Sequence, residues 1–422
     1  MTFGSSRAIL IKNETELVMK KLLLIFSSML LIFALCACGD KSGKYSEGLE
    51  FEYHETTKAY SVSGIGTCED SEIVIPDTYK RKPVKYIDDK AFYKCLSVES
   101  VIIPEGIEDI GASAFSQCTM LTSVELPDSL TRIGDSAFYG CTALTKIDIP
   151  NGVSAIYDHT FSGCTSLADV KIPNSVTSIG NSAFYECGSL SSIDIPDGVE
   201  EIRNNAFTCC SSLKSFAIPD SVTEIEDFAF SECYALTSFS VGENNKYYQS
   251  IDGNLYSKDG TTIVRYALGK SESSFVVPEG VVNIGVGAFA ECSSLGKITL
   301  PESVTKIEGF AFAACDTIKE ISIPSGVTQI KENTFWGCDS LTSINLPEKI
   351  TGIGICAFEK CASLKQIIMS GPVSYIGADA FADCESLTDI YYAGSESDWK
   401  EIQSGNTSLY YLEANVHYNF KK

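Results

Sequence analysis

The stretch "FYGCTALTKIDIPNGVSAIYDHTF", residues 138–161, decides the fold. Leu144, Ile147 and Ile149 form an L-x-x-L-x-L triplet. Ile147 and Ile149 are two apart, which predicts a short strand with both side chains on the inner face. Pro150 ends that strand because it brings no N–H to a ladder. Val153 and Ile156 then return along the other side of a coil. Phe161 repeats Phe138, and Cys141 follows three residues after the ring.

The pattern extends in both directions. Phe recurs at 92, 115, 138, 161, 184, 207 and 230, and again at 289, 312, 335, 358 and 381, in steps of 23 within each run. Cys sits three residues after every one: 95, 118, 141, 164, 187, 210 and 233, then 292, 315, 338, 361 and 384. Twelve copies in one register mean a stacked repeat array, in which each coil touches only its neighbours. The 422 residues therefore do not divide into two or three globular domains, as length alone would suggest.

The copies "LTSVELPDSLTRIGDSAFYGCTA" (121–143) and "LADVKIPNSVTSIGNSAFYECGS" (167–189) resemble the repeats of BspA-like leucine-rich-repeat bacterial surface proteins. The resemblance spans residues 49–422. It implies a β-rich, curved, right-handed leucine-rich-repeat solenoid with caps at both ends. It also implies a role at the cell surface, in adhesion to host or bacterial surfaces or to extracellular matrix.

Composition narrows the function. Thirty-two Lys and Arg against 55 Asp and Glu give a net charge of −23, and such a chain repels nucleic-acid phosphates. Seventeen Cys accompany only three His, at 54, 159 and 417. The sequence holds no G-x-S-x-G, HExxH or P-loop pattern, and Cys356-x4-Cys361 has no second pair to make a zinc site. The expectation is a protein without enzymatic activity, cofactor or metal. The ladder cysteines read as a column of buried free thiols, since every one is equivalent to its neighbours and no pairing is favoured.

Residues 19–37 read as a lipoprotein signal peptide: Lys20 and Lys21, then an apolar run from Leu22 to Leu35, too short for an ordinary membrane span. Leu35-Cys36-Ala37-Cys38 resembles a bacterial lipobox, which implies that Cys38 carries the lipid and anchors the protein in the membrane. Residues 1–18 precede this signal and read as a misplaced start, with translation beginning at Met19. Residues 38–48 read as the lipidated Cys and a flexible tether.

Residues 49–91 are expected to cap the N-terminal end with a hairpin, and 388–422 the C-terminal end, with the solenoid over 92–387. Ser395 and Asp398 form a capping-box pattern ahead of Trp399. Between Phe230 and Phe289 the step is 59. Residues of about 242–277 read there as a hairpin decorating the solenoid outside the 23-residue register, with Asp259-Gly260 at its turn. Gly stands four residues before Phe in half of the copies and reads as tolerated rather than required.

The outward strand positions, 8 and 10 residues after each Phe, make a small, polar face without aromatic anchors. Glu125, Asp148, Lys171 and Asp194 are its candidate contact residues. The reading is a monomeric, lipid-anchored surface protein that binds an extracellular protein or glycan. A spacer without a ligand and an envelope- or glycan-degrading enzyme are the alternatives.

Overall fold

The computed structural model describes residues 45–406, 408–409 and 412–421. The expected signal peptide over 19–37, Cys38 and the expected start at Met19 lie outside the described residues. The described chain is a β-solenoid with a 23-residue coil, and three hydrogen-bonded ladders run along it. The return stretches Ala155–Ile156, Ser178–Ile179, Glu201–Ile202 and Glu224–Ile225 pair in parallel, with each Ile opposite the Ile of the next coil. On the outward face Lys146–Asp148 pairs with Asp169–Lys171, Ile147 opposite Val170. At the turn, the Phe184 N–H donates to the Ala206 carbonyl of the next coil at 2.8 Å, and Phe207 to Ala229 likewise.

Identical coils put identical side chains in columns. The rings from Phe92 to Phe230 stack with centroids 5.0–5.7 Å apart and planes within 16°. A second stack runs from Phe289 to Phe381. Beside the rings stand the ladder thiols. Each donates to the Phe carbonyl of the coil before: Cys118 to Phe92 at 3.0 Å, Cys141 to Phe115 at 3.1 Å, and so on to Cys384 and Phe358 at 3.0 Å. Only the first ladder cysteine of each run, Cys95 and Cys292, lacks such a bond among the described residues.

No disulfide joins the described cysteines. Burial pushes the Cys118, Cys164, Cys292 and Cys338 thiols up to about 12, so they stay protonated and unreactive at neutral pH. Labelling of the ten buried thiols in the native protein is therefore expected to be slow, with faster labelling confined to the partly exposed Cys68, Cys95, Cys209, Cys356 and Cys384. Labelling should reach nearly all of the 15 described cysteines in denaturant without reductant. A disulfide between ladder cysteines, found by mass spectrometry, overturns this.

Two residues per coil take the left-handed backbone conformation, two before and two after each Phe. Ser136 (φ 56°) and Gly140 (φ 68°) flank Phe138, and Ser182 (φ 52°) and Glu186 (φ 58°) flank Phe184. They reverse the chain around the ring. His159 occupies the first of these sites and Cys209 the second, so both are turn residues. The glycines four before Phe are not among the left-handed residues, but they are tighter than mere tolerance. A Cβ on Gly354 would lie 2.4 Å from the Glu332 backbone nitrogen, and one on Gly377 2.4 Å from that of Ile355. Their absent side chains let neighbouring coils close up at this corner.

The insert differs from its sequence reading. Tyr248–Ile251, Asn254–Ser257 and Thr262–Arg265 form an antiparallel meander, but its last strand belongs to the solenoid. Ile263 pairs in parallel with Ile284, and Phe275 with Ile298, 21 and 23 residues on. Tyr266, 23 residues before Phe289, stacks on that ring at 5.6 Å. Residues 261–277 are thus a coil with Tyr in the Phe column, and not part of a decoration over 242–277. Leu255, Tyr256, Ile263 and Tyr266 are fully buried. The apolar interior divides here into two clusters, one reaching Phe239 and Leu255, the other beginning at Tyr256, Ile263 and Tyr266.

The ends are closed by other elements. Glu50–His54 and Ala59–Gly64 form a hairpin whose second strand continues in parallel to Lys82–Ile87. The tether reading of 38–48 fails over its last residues: the Ser46 N–H donates to the Val74 carbonyl at 3.0 Å, and the Ser46 hydroxyl accepts from Val74 N–H at 3.1 Å. At the other end a helix over Glu396–Gly405 starts at Ser395, with a reciprocal capping box to Asp398, and buries Trp399 edge-on to Tyr392. Asn415–His417 then adds a parallel strand to Asp389–Tyr392.

Candidate functional surface

The outward strand face is discontinuous. Glu125 ends the strand Ser123–Glu125, which pairs back toward Ser100–Ile102. Asp148 and Lys171 share a separate two-stranded sheet, and Asp194 lies outside any strand. Of the four candidate residues the structure brings together two. Lys171 Nζ lies 3.1 Å from Asp148, and Lys146 reaches Asp148 at 3.4 Å and Asp169 at 3.8 Å. Glu125 and Asp194 join no ion pair among the described residues. All members of the cluster are about half exposed or more, so water screens these pairs to roughly 0–1 kcal/mol each. The cluster orders a charge pattern across two coils and contributes little to stability.

A second surface lies at the turn edge, one residue after each Phe. Over the first six coils its column reads Tyr93, Ser116, Tyr139, Ser162, Tyr185 and Thr208; beyond them the alternation ends, with Ser231, Ala290, Ala313, Trp336, Glu359 and Ala382. Ser116, Ser162 and Thr208 are buried, while Tyr93 and Tyr139 are 41% and 39% exposed. From Phe92 to Phe207, every second coil therefore carries a phenol beside a small neighbour, at a spacing of about 10 Å for two strand separations. Lys94 Nζ lies 5.0 Å from the Tyr93 ring. The Tyr185 hydroxyl is pushed up to about 12, first by the neighbouring Cys209 sulfur and then by burial. Leu96 and Met120, just beyond the same turns, are 60% and 50% exposed. The sequence reading looked for aromatic anchors on the strand face and passed over this column. Its signal was the alternation of Tyr with Ser or Thr after successive Phe residues.

The histidines are structural links. His54 Nε2 lies 2.9 Å from the Ser61 hydroxyl, which donates to Asp88 at 2.6 Å. Ser61 is fully buried and its one proton is committed to Asp88, so it presents no nucleophile; the chain ties the cap hairpin to the first coil. His417 Nε2 lies 2.7 Å from Asp389 and its ring stacks on Tyr391 at 4.6 Å, which joins the last strand to the array.

Known proteins place this architecture. The BspA type leucine rich repeat region matches in six copies, over residues 85–187, 131–258 and 261–388. The chain is similar to the crystal structure of a leucine rich cell surface protein from Faecalibacterium prausnitzii A2-165. Identity is 34%, with 87% of this chain and 98% of that chain covered and a TM-score of 0.74. The pneumococcal vaccine antigen PcpA shares the fold at 20% identity and a TM-score of 0.63, over 89% of this chain and 98% of that one. A leucine-rich repeat protein from Eubacterium ventriosum shares it at 22% identity and 0.52, over 83% and 86%. No curated protein matches the sequence. The last matched segment opens at residue 261, where the Tyr266 coil begins, and the chain belongs to the BspA-type leucine-rich-repeat family of bacterial cell-surface proteins.

Proposed function

We propose that the protein is a lipid-anchored surface module, without enzymatic activity, that binds an extracellular protein or glycan along its turn edge. The aromatic column at Tyr93, Tyr139 and Tyr185 carries this reading. Tyr is enriched among the residues that dominate binding energy, because a rigid ring offers apolar area and a polar tip at little entropic cost. Tyr93 and Tyr139 give an extended partner two exposed footholds on alternate coils, with Tyr185 a less exposed third. The charged cluster of Asp148 and Lys171 serves as rim, where it sets orientation more than affinity.

The test is saturable, competable binding of the secreted form to matrix, host cells and bacterial cells. Tyr93→Ser with Tyr139→Ser is expected to weaken it at least tenfold, since each truncated hot spot costs about 1–2 kcal/mol or more. Asp148→Ser with Lys171→Ser should change it less than threefold. Absence of saturable binding on every surface supports the spacer reading instead.

The membrane anchor rests on the lipobox at Cys38. Two acyl chains hold a protein stably where one does so marginally. Cys38→Ser is expected to release the protein to the medium or to leave an uncleaved precursor. Unchanged cleavage and detergent partitioning of that variant would remove Cys38 as the attachment site.

A further inference from the structure

The twelve cysteines of the repeat have a counterpart in the N-terminal cap that the 23-residue spacing conceals. In a regular coil the Phe N–H donates to the Ala carbonyl of the next coil, as Phe92 does to Ala114 at 2.7 Å. The Cys N–H donates to the Phe carbonyl three residues back, as Cys95 does to Phe92 at 3.1 Å. The cap makes the same two bonds. Ile65 N–H donates to the Ala91 carbonyl at 3.1 Å, and Cys68 N–H to the Ile65 carbonyl at 3.0 Å. Ile65 therefore takes the place of Phe, and Cys68 precedes Cys95 in space as Cys95 precedes Cys118.

This pair differs from the others. Cys68 and Cys95 are both partly exposed, whereas the column cysteines from Cys118 to Cys361 are all buried, and the partly exposed Cys384 has only the buried Cys361 before it. Cys118 and its successors in the run commit their S–H to a Phe carbonyl, while Cys95 makes no such bond among the described residues. Cys292 also lacks one, but it opens the second run at the junction with the Tyr266 coil, where Gly269 fills the cysteine place and offers no second sulfur. Burial and then the nearby Cys68 sulfur push the Cys95 thiol up, so the two sulfurs sense each other. Stacked neighbours about 5 Å apart fall inside the Cα separation of roughly 4.4–6.8 Å that a disulfide spans.

We propose that Cys68 and Cys95 are an oxidisable pair, which a small-molecule disulfide at the cell surface converts into a cystine that staples the cap to the first coil. One thiolate attacks the reagent's disulfide, breaks its S–S bond and releases one small thiol. The second thiolate then attacks the mixed disulfide and releases the other. The protein loses two hydrogens and two electrons, and the reagent gains both. The bond takes one cap thiol and one column thiol and leaves the buried column as it is. Outside the reducing cytosol such a bond persists. It depends neither on the lipid anchor nor on the Tyr column.

The experiment treats the reduced full chain in detergent micelles with glutathione disulfide, then alkylates it in denaturant and maps its peptides by mass spectrometry. A Cys68–Cys95 cross-link within one molecule is expected, and two fewer of the 15 described cysteines are alkylated. Hydrogen exchange at the Ile65 amide should slow roughly tenfold or more, because the cross-link removes states in which the cap has opened from the first coil. Cys68→Ser is expected to abolish both the cross-link and the slowing, and Cys209→Ser with Cys356→Ser to leave both intact. Should Cys68→Ser disturb the cap, the parent's own cross-linked peptide and its reversal by dithiothreitol carry the assignment. Lasting mixed disulfides on Cys68 and Cys95 without a cross-link would overturn it. So would a bond from either to Cys209, Cys356 or Cys384, a bond between molecules, or no oxidation at all.

Discussion

Replacement of residues 244–270 by a short Gly/Ser loop is expected to destabilise the protein more than Phe184→Ala. Phe184 lies mid-array, its ring stacked 5.5 Å from Phe161 and 5.4 Å from Phe207. Its truncation loses burial and leaves a cavity that coils on both sides cannot close, which costs about 3–5 kcal/mol. The segment 244–270 carries more. It takes Leu255, Tyr256, Ile263 and Tyr266 out of the interior, each fully buried and each contributing roughly 1.5–3 kcal/mol by burial alone. It also removes the strand that pairs with Asn283–Ile284 and the ring that covers Phe289. In an array stabilised by contacts between neighbours, that opens two apolar ends at once. Urea melts of parent, Phe184→Ala and the loop replacement decide the matter. A replacement that melts above Phe184→Ala would show that the meander is dispensable.

The second large effect is expected at the ion pair that staples the short coil. Arg265 is 5% exposed, and Glu291 Oε2 accepts from it at 3.5 Å and from the Glu232 N–H at 2.7 Å. One carboxylate thereby ties the Phe230, Tyr266 and Phe289 coils together. Glu291→Ala leaves the guanidinium buried without its counter-charge, and removal of one partner of a buried pair costs about 3–5 kcal/mol. The Glu291 side chain keeps 24% of its exposure, which places the expected loss near the lower figure. Arg265→Met together with Glu291→Leu removes both charges and is expected to recover most of the loss, because an apolar pair of similar volume replaces a buried ion pair at little cost. The check is a double-mutant comparison of urea midpoints. If the double variant is as unstable as Glu291→Ala, the charge is not the cause.

The parts of the fold that could be read from sequence are those that every coil repeats. Phe and Cys recur because each coil offers the same two buried places, and the Leu–Ile–Ile triplet recurs because each face strand turns the same side inward. The Tyr266 coil escaped because all of its marker positions differ: Tyr for Phe, Arg265 for Ala, Gly269 for Cys. Gly269 is itself required, since a Cβ there would lie 2.5 Å from the Ala235 carbonyl carbon. The paired left-handed residues escaped because Lys, Gln, Glu and Cys fill those sites as well as Ser, Asn and Gly, which blurs the composition that marks a reversal. On the strand face, Asp148 and Lys171 were legible as a contact because coils one step apart pair residue for residue. Glu125 and Asp194 fall outside that pair because each belongs to a different stretch of the face.

The columns also govern how such a protein can change length over generations. A coil of the regular array shows its neighbour the same ring, the same thiol and the same carbonyl that it receives from the coil behind. Unequal recombination in register would therefore add or delete a coil without creating an unmatched surface, and both caps would still fit. The junction has no such freedom, because Arg265, Glu291 and Glu232 come from three successive coils that match nothing else in the array. The length of the array is then an easily varied trait, whereas the junction is inherited whole or lost.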